Sequence, residues 1–167
     1  MNLEESIVLR PYAQTDISFI LDSWYRSYLG DMYSGVSYNK RVAGDKVFPV
    51  IHTIATALLS RCGAYIACDA EDYDNILGYV VGERIQGAPV IHWLYVKHLL
   101  RNNGVGKMLF RVVNPKHQDT LVTFMTEQVR DRCNNYPLIY KRTNLERILQ
   151  LDCTPLTNEP LETVEGA

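Results

Sequence analysis

The segment from Arg101 to Lys107 reads Arg-Asn-Asn-Gly-Val-Gly-Lys and combines flexible backbone with positive charge. It follows a strand-like apolar run at 90–96 and precedes an amphipathic stretch that ends at Asn114-Pro115, because proline cannot continue a helix. The first N–H groups of a helix have no partner within the helix and lie at the positive end of its dipole. The sequence therefore predicts a phosphate site where the strand turns into the helix.

Two common phosphate motifs do not fit this segment. A nucleoside-triphosphate loop requires glycine at position 101 and a hydroxyl residue at position 108, where this chain has Arg101 and Met108. A dinucleotide fingerprint requires a third glycine where this chain has Leu109. Nucleotide-binding regulators of these two types are thereby excluded. The pattern that remains is Arg-x-x-Gly-x-Gly after a strand that contains Leu-Tyr-Val.

This pattern resembles the pyrophosphate loop of the GCN5-related N-acetyltransferase family, which has the form Gln/Arg-x-x-Gly-x-Gly/Ala and holds the pyrophosphate of coenzyme A. Two further segments are similar to the family. Leu9-Arg10-Pro11 precedes the first predicted helix, and residues 139–146 match a closing Leu-Tyr-Glu-Lys-x-Gly-Phe-Glu segment in register. The resemblance covers residues 6–150 and departs at Asn102, where the family commonly has glycine.

The resemblance implies an α/β (α+β) domain over residues 1–150, with a mixed, mostly antiparallel central sheet flanked by helices. Acetyl-CoA would lie where the last strand of an antiparallel meander splays from the next strand. Unpaired backbone of Leu94, Tyr95 and Val96 would bind the pantetheine arm, as an added strand would. The pyrophosphate would be held by the loop residues Arg101, Asn102, Asn103, Gly104, Val105, Gly106 and Lys107.

Hydrophobic periodicity and turn residues predict the elements that position this loop. Pro11 is expected to end the first strand, and Thr15-Asp16 to begin the first helix. The predicted strands cover residues 6–10, 64–68, 76–84, 90–97, 120–125 and 145–151. A second helix is predicted from Val47 to about Leu59, and the loop helix presents one apolar face made by Val105, Met108, Leu109, Val112 and Val113.

Acetylation of a primary amine requires a base. An alkylammonium group with a pKa of about 10.4 loses its proton at pH 7 at a cost of about 4.6 kcal/mol. Glu83, near the end of a strand, and His92, on the strand that leads to the cleft, are alternative bases, with Glu127 as a weaker third. Tyr140 matches the tyrosine of the family, which implies a role as general acid toward the departing thiolate. Pro137 departs from the family, which usually carries this tyrosine on a helix.

Other residue types point to no second kind of chemistry. None of the four cysteines lies in a recognisable nucleophile setting, so we expect direct attack without an acyl-enzyme. The four cysteines and four histidines show no metal-ligand spacing, and we expect no metal and buried cysteines. Aromatic residues cluster around the connection between the first two helices and are candidates for the wall of an acceptor site: Trp24, Tyr25, Tyr28, Tyr33 and Tyr38.

Composition sets the remaining limits. The chain has 167 residues, 47% of them apolar and 22% charged, which suits one globular domain with a sizeable core. A formal charge of −2 gives no drive toward nucleic acid or anionic membrane, and no apolar run approaches the ~20 residues of a membrane span. The start of the chain is acidic, unlike a signal peptide, so we expect a cytoplasmic protein. We expect it to be a monomer or a homodimer.

Residues 151–167 contain four acidic residues, two prolines and no lysine or arginine. They are expected to form a poorly ordered tail or to pack along a partner subunit. Two functions remain open for the domain. One is transfer of an acetyl group from acetyl-CoA to a primary amine of a small molecule or peptide. The other is a non-catalytic coenzyme A-binding or assembly module of the same fold, including the compact kind found in phage genomes.

Overall fold

The structure, a computed structural model, describes residues 6–33, 40–124, 126–132, 135–140, 151–152 and 154–156. Its strands are β1 (Ile7–Pro11), β2 (Ala64–Asp69), β3 (Ile76–Ile85), β4 (Ala88–Val96), β5 (Thr120–Val122), β6 (Leu138–Tyr140) and β7 (Thr154–Pro155). Its α-helices are α1 (Ile17–Tyr33), α2 (Lys40–Cys62), α3 (Val105–Val113) and α4 (Glu127–Arg132). Short 3-10 helices lie at Gln14–Asp16 and His98–Leu100.

The strands form one mixed sheet in the order β1-β2-β3-β4-β5-β6. Strands β1 to β4 are an antiparallel meander, whereas β5 runs parallel to β4 and β6 runs parallel to β5. Helix α3 is the crossover between β4 and β5, which is why its N-terminus lies at the end of β4. The predicted fold class, a mixed sheet flanked by helices, is confirmed.

Two apolar clusters cover the two faces of the sheet. Helices α1 and α2 bury Ile20, Trp24 and Leu58 against one face. Helix α3 buries Val105 and Leu109 against the other. The apolar side chains of α3 therefore fix its position through the core, while its first turn remains at the edge of the sheet. Cys62 and Cys68 are buried, as expected, and Cys133 and Cys153 lie outside the described residues.

Two glycines of β3 allow α3 to approach the sheet closely. A Cβ atom at Gly78 would lie 3.2 Å from Cδ1 of Leu109 and 2.6 Å from the carbonyl oxygen of Tyr95. At Gly82 it would lie 3.2 Å from Cγ2 of Val113. A larger residue at either position would have to displace α3 or β4, so these glycines help to set the height of the α3 N-terminus above the sheet.

Several boundaries differ from the prediction. Strand β1 ends at Pro11, as expected, but includes it: Pro11 pairs with Tyr65, because β1 is an edge strand and its outer side needs no N–H donor. Helix α2 begins at Lys40, not Val47, and continues through Pro49. Strand β5 ends at Val122 and not near residue 125. The strand predicted near 145–151 lies almost wholly outside the described residues.

Five residues of the segment after residue 150 are described, and they lie against the domain. Strand β7 pairs with β3 beyond the end of β2, and Pro155 lies opposite Glu83. Leu156 is only 3% exposed and packs with the cluster on the α3 side. Burial of this apolar side chain stabilises the segment against the domain. Within the described ranges, no helix has the length and apolar character that crossing a bilayer requires.

Candidate active site

Strands β4 and β5 separate soon after they meet. They pair only at Val90 with Leu121 and at Ile91 with Val122, and the N–H of Thr123 donates to the Ile91 carbonyl at 3.2 Å. Strand β4 then continues to Val96 with β3 beside it on one edge only. A cavity of about 820 Å³ occupies the opening, a size typical of small-molecule sites.

A β-bulge at His92 underlies this separation. Trp93 pairs with Val81 and Ile91 pairs with Gly82, so His92 is an extra residue without a partner on β3. Side chains two residues apart on a regular strand share a face, but Ile91 packs on the α3 side and Trp93 on the α1 side. The bulge therefore re-aims the residues that follow it and increases the local twist.

The open edge of β4 presents backbone groups to the cavity. The N–H of Lys97 donates to the Leu77 carbonyl on the β3 side at 2.9 Å. Because successive residues of a strand point their backbone groups to opposite edges, those of Leu94 and Val96 face the cavity. The Val96 carbonyl accepts a bond from Nε of Arg101 at 3.4 Å. The N–H groups of Leu94 and Val96 have no backbone partner among the described residues on that edge.

The loop after β4 has a backbone conformation that leaves N–H groups at the start of α3 free to bind an anion. Asn102 and Gly104 have positive φ angles of 67° and 86°, and Gly104 is the residue that caps α3. The first helical bond runs from the N–H of Met108 to the Gly104 carbonyl at 3.0 Å. The amides of Val105, Gly106 and Lys107 precede that bond, so they have no carbonyl partner within the helix and lie at the positive end of its dipole.

Three cationic side chains line the same end of the cavity. Arg101 is held by Gln128, whose amide oxygen, when it faces the guanidinium, accepts from Nη1 at 3.0 Å and from Nη2 at 3.2 Å. Lys107 is exposed on the first turn of α3. Arg132 donates from Nη2 to Oδ1 of Asn102 at 3.3 Å, which ties α4 to the loop. Sequence reasoning missed Arg132, because nothing in the sequence brings α4 next to the loop.

Eight of the ten predicted cofactor residues line the cavity: Leu94, Tyr95, Val96, Arg101, Asn102, Gly104, Gly106 and Lys107. The other two do not. Asn103 is exposed on the outside of the loop. Val105 is fully buried in the core, so only its backbone N–H is available at the helix start.

Two of the predicted alternative bases are hydrogen-bonded to each other. Nε2 of His92 lies 2.8 Å from Oε1 of Glu83, and both side chains are buried. Nε of Arg61, on α2, donates to Oε2 of Glu83 at 2.9 Å. Nδ1 of His92 lies 3.0 Å from the hydroxyl oxygen of Thr123. His92 lines the cavity, whereas Glu83 lies behind it.

This chain of contacts fixes the imidazole tautomer. An ionised carboxylate can only accept hydrogen bonds, and the guanidinium of Arg61 favours the ionised form of Glu83. Nε2 of His92 therefore carries the proton and donates it, which leaves Nδ1 as an acceptor for the Thr123 hydroxyl. An imidazole in this state is a base with a fixed orientation. The side chain of Glu127, the weaker third candidate, lies outside the described residues.

Tyr140, the residue predicted as general acid, is not among the residues that line the cavity. Pro137 cannot continue a helix, and the chain instead enters β6, where Tyr140 is 40% exposed. Tyr136, one residue before the proline, lines the cavity and packs edge-on against Phe110 with ring centroids 5.2 Å apart. Tyr136 is the tyrosine whose position suits the role assigned to Tyr140.

The aromatic residues of α1 support the cavity from behind. Trp24 and Tyr28 contact Trp93 and Phe124, which line the cavity, while Tyr25 packs against Phe48. The Tyr33 side chain and Tyr38 lie outside the described residues. In the part of the chain that the structure describes, no three His, Cys, Asp or Glu side chains are grouped as a metal site would require.

No protein-family model matches the sequence, and no curated protein is significantly similar to it. Among solved structures, the chain is similar to a possible acetyltransferase from Clostridium difficile, with 14% identity over 83% of this chain and 96% of that chain and a TM-score of 0.52. It is also similar to a structure from Corynebacterium glutamicum described as histone acetyltransferase HPA2 and related acetyltransferase, with 15% identity, coverage of 77% and 82%, and a TM-score of 0.52.

The chain is also similar to an acetyltransferase of GNAT family from Staphylococcus aureus, with 17% identity and a TM-score of 0.44. This similarity covers 65% of this chain and 64% of that chain. The two matches with the higher TM-scores show the fold. The likeness to GCN5-related N-acetyltransferases that the sequence indicated is therefore confirmed at the level of the fold.

Proposed function

We propose that this protein transfers an acetyl group from acetyl-CoA to a primary amine by direct attack. One observation carries the proposal. A single cavity brings together the unpaired amides that begin α3, the unpaired edge of β4, and an imidazole oriented by a buried carboxylate. The acetyltransferase fold supports the same function.

The pyrophosphate of acetyl-CoA would lie on the amides of Val105, Gly106 and Lys107. Each contact between an anion and a helix N-terminus contributes on the order of 0.3–1 kcal/mol, so several must act together. Arg101 and Lys107 add charge-assisted bonds. The pantetheine arm would follow β4, where the backbone of Leu94 and Val96 can bond to its amide groups as an added strand would.

The nitrogen of the ammonium form loses two protons in all, and the departing thiolate takes up one. The ammonium group would give its first proton to the Thr123 hydroxyl as that hydroxyl passes its own proton to Nδ1 of His92. The amine nitrogen then bonds to the thioester carbonyl carbon, and the carbon–sulfur bond breaks. Tyr136 would protonate the departing thiolate, and the tyrosinate would take the second proton from the nitrogen. Glu83 stays ionised and stabilises the imidazolium that forms.

Thermal unfolding with acetyl-CoA, followed by thiol release against a panel of amines, tests this function. A ligand at a hundred times its dissociation constant adds about 2.7 kcal/mol of stability. Stabilisation with amine-dependent thiol release is the expected result. Stabilisation without release on any amine would instead favour the non-catalytic coenzyme A-binding module. No stabilisation would contradict acetyl transfer and leave only an assembly module that does not bind acetyl-CoA.

A further inference from the structure

The β4–β5 opening has two faces. On the α3 side the wall holds Leu94, Val96, Phe110 and Tyr136 and leads to the start of α3. On the α1 side it consists of Ser27, Trp93, Tyr95 and Phe124. The His92–Glu83 pair is anchored from this second side, because Arg61 belongs to α2. A base on this side removes a proton from a group that enters from this side, so the α1 face is where the amine binds.

The wall of the α1 face is aromatic and rigid. The indole of Trp93 stacks on that of Trp24, with centroids 5.1 Å apart and planes 16° from parallel. Phe124 meets Trp93 edge-on at 5.7 Å and Trp24 edge-on at 6.0 Å. Trp24 is completely buried behind them, so the wall cannot yield in that direction. Flat rings bind such walls by offset or edge-to-face contact.

The same face offers little to a second positive charge. Asp131 is the sole carboxylate among the described residues that line the cavity, and it lies on α4, next to Arg132. Glu83 lies behind His92 and is already paired with Arg61 at 2.9 Å. Among its described residues, this wall offers no carboxylate to the extra charges of a polyamine or of an aminosugar with several ammonium groups.

We infer that the acceptor is a primary monoamine that carries an aromatic ring, as in an arylalkylamine. This inference rests on the proposed acetyl transfer and specifies its substrate class. The ring would lie against Trp93 and Phe124, with the amine directed along the wall toward Thr123 and His92.

Steady-state thiol release with 2-phenylethylamine, n-butylamine and putrescine tests the inference. We expect kcat/KM for 2-phenylethylamine to exceed that of both other amines by about tenfold or more, since ring contacts are lost in either of them. Phe124→Leu should remove most of this preference by raising KM for 2-phenylethylamine. The matched control Tyr73→Leu alters an exposed aromatic residue between β2 and β3, outside the residues that line the cavity, and should change nothing.

The outcomes separate the two claims. Release that favours putrescine or n-butylamine overturns the aromatic acceptor and leaves acetyl transfer intact. If none of the amines gives thiol release, acetyl transfer is overturned, and this inference with it. If Phe124→Leu no longer gains stability from acetyl-CoA, tryptophan fluorescence of the unaltered protein decides instead. With coenzyme A bound, 2-phenylethylamine should quench it saturably and putrescine should not; equal quenching by both would overturn the inference.

Discussion

His92 and Glu83 face each other across neighbouring strands, with Nε2 of the imidazole 2.8 Å from Oε1 of the carboxylate and both side chains buried. The contact depends on the bulge in β4, which adds His92 to the strand opposite Val81 and Gly82. A histidine held in one tautomer at the wall of a cavity is poised to accept a proton. The first prediction concerns this pair.

His92→Gln should lower kcat by about 10²–10⁴-fold, the usual contribution of a general base, while acetyl-CoA still stabilises the fold. Thiol release with saturating acetyl-CoA, and thermal unfolding with and without acetyl-CoA, check the two points. His52→Gln alters an exposed histidine on α2 and serves as the control. An unchanged kcat in His92→Gln would refute the role.

Gly106→Ala should raise stability and keep acetyl-CoA binding, because the loop form that this chain resembles carries either glycine or alanine at this position. The added Cβ would lie 3.7 Å from Cγ2 of Val96 and 3.9 Å from Cδ2 of Leu94, so it fits the folded protein without strain. Alanine favours a helix over glycine by roughly 0.5–1 kcal/mol. The same methyl group would lie beside β4 and leave the N–H groups of the first turn of α3 accessible to the cofactor.

Gly30→Ala is the matched control for the effects of Gly106→Ala on stability and on acetyl-CoA binding. Gly30 lies in α1 with no atom within 4 Å of the added Cβ, so it should gain similar stability with no loss of binding. Urea unfolding and calorimetric titration with acetyl-CoA measure the two quantities. A loss of binding in Gly106→Ala that Gly30→Ala does not share would contradict this prediction.

The carboxyl group of Asp16 should make the free energy of unfolding depend on pH in the acidic range. Burial alone would raise its pKa, but hydrogen bonds from the Arg10 guanidinium, at 2.7 and 3.0 Å, and from the Ala13 N–H outweigh burial and hold the pKa below its ordinary value. A carboxyl whose pKa is lower in the folded state stabilises that state above its ordinary pKa of about 3.9. The stabilisation is lost as pH falls through the lower, folded-state value.

At pH 7, Asp16→Asn should therefore lower the free energy of unfolding, measured in urea, by about 1–2 kcal/mol. This difference from the unaltered protein should shrink as the pH falls below about 4. Asp22→Asn is the control, because Asp22 and Arg26 form an exposed pair of little expected worth. A difference for Asp16→Asn that stays constant from pH 7 to pH 3 would argue against the lowered pKa.

Leu156→Ala should reduce the free energy of unfolding by about 2–3 kcal/mol, as expected for a buried leucine. Leu151→Ala provides the comparison, since Leu151 is 45% exposed in the same segment and should change stability by less than about 0.5 kcal/mol. Urea unfolding of both variants decides whether β7 belongs to the folded domain. Equal, small effects would mean that the segment contributes nothing to it.

The sequence predicted the parts of this site that depend on local pattern. The period of Val105, Leu109 and Val113 identified α3, and the two loop glycines identified its start, because both signals lie within a few residues. The contact between Glu83 and His92 could not be predicted as a contact. It requires the register of two strands and a bulge, and no local residue pattern specifies either.

Two other differences between the prediction and the structure also arise from tertiary packing. Tyr140 was chosen by its match to a family segment, yet Pro137 diverts the chain into β6 and leaves Tyr136 at the cavity. Arg132 approaches Asn102 across 30 positions of sequence, a distance that only tertiary packing closes. Local periodicity thus identifies elements, whereas the side chains that meet in the cavity depend on how those elements pack.

The most direct test of the central claim follows the backbone amides that begin α3. Amide chemical shifts from ¹⁵N-labelled protein, recorded during titration with acetyl-CoA, report on each N–H separately. The account predicts the largest shifts at Val105, Gly106 and Lys107, with a second group at Leu94 and Val96 on the edge of β4. Saturable binding that leaves these five amides unshifted, with the changes confined to other parts of the chain, would contradict it.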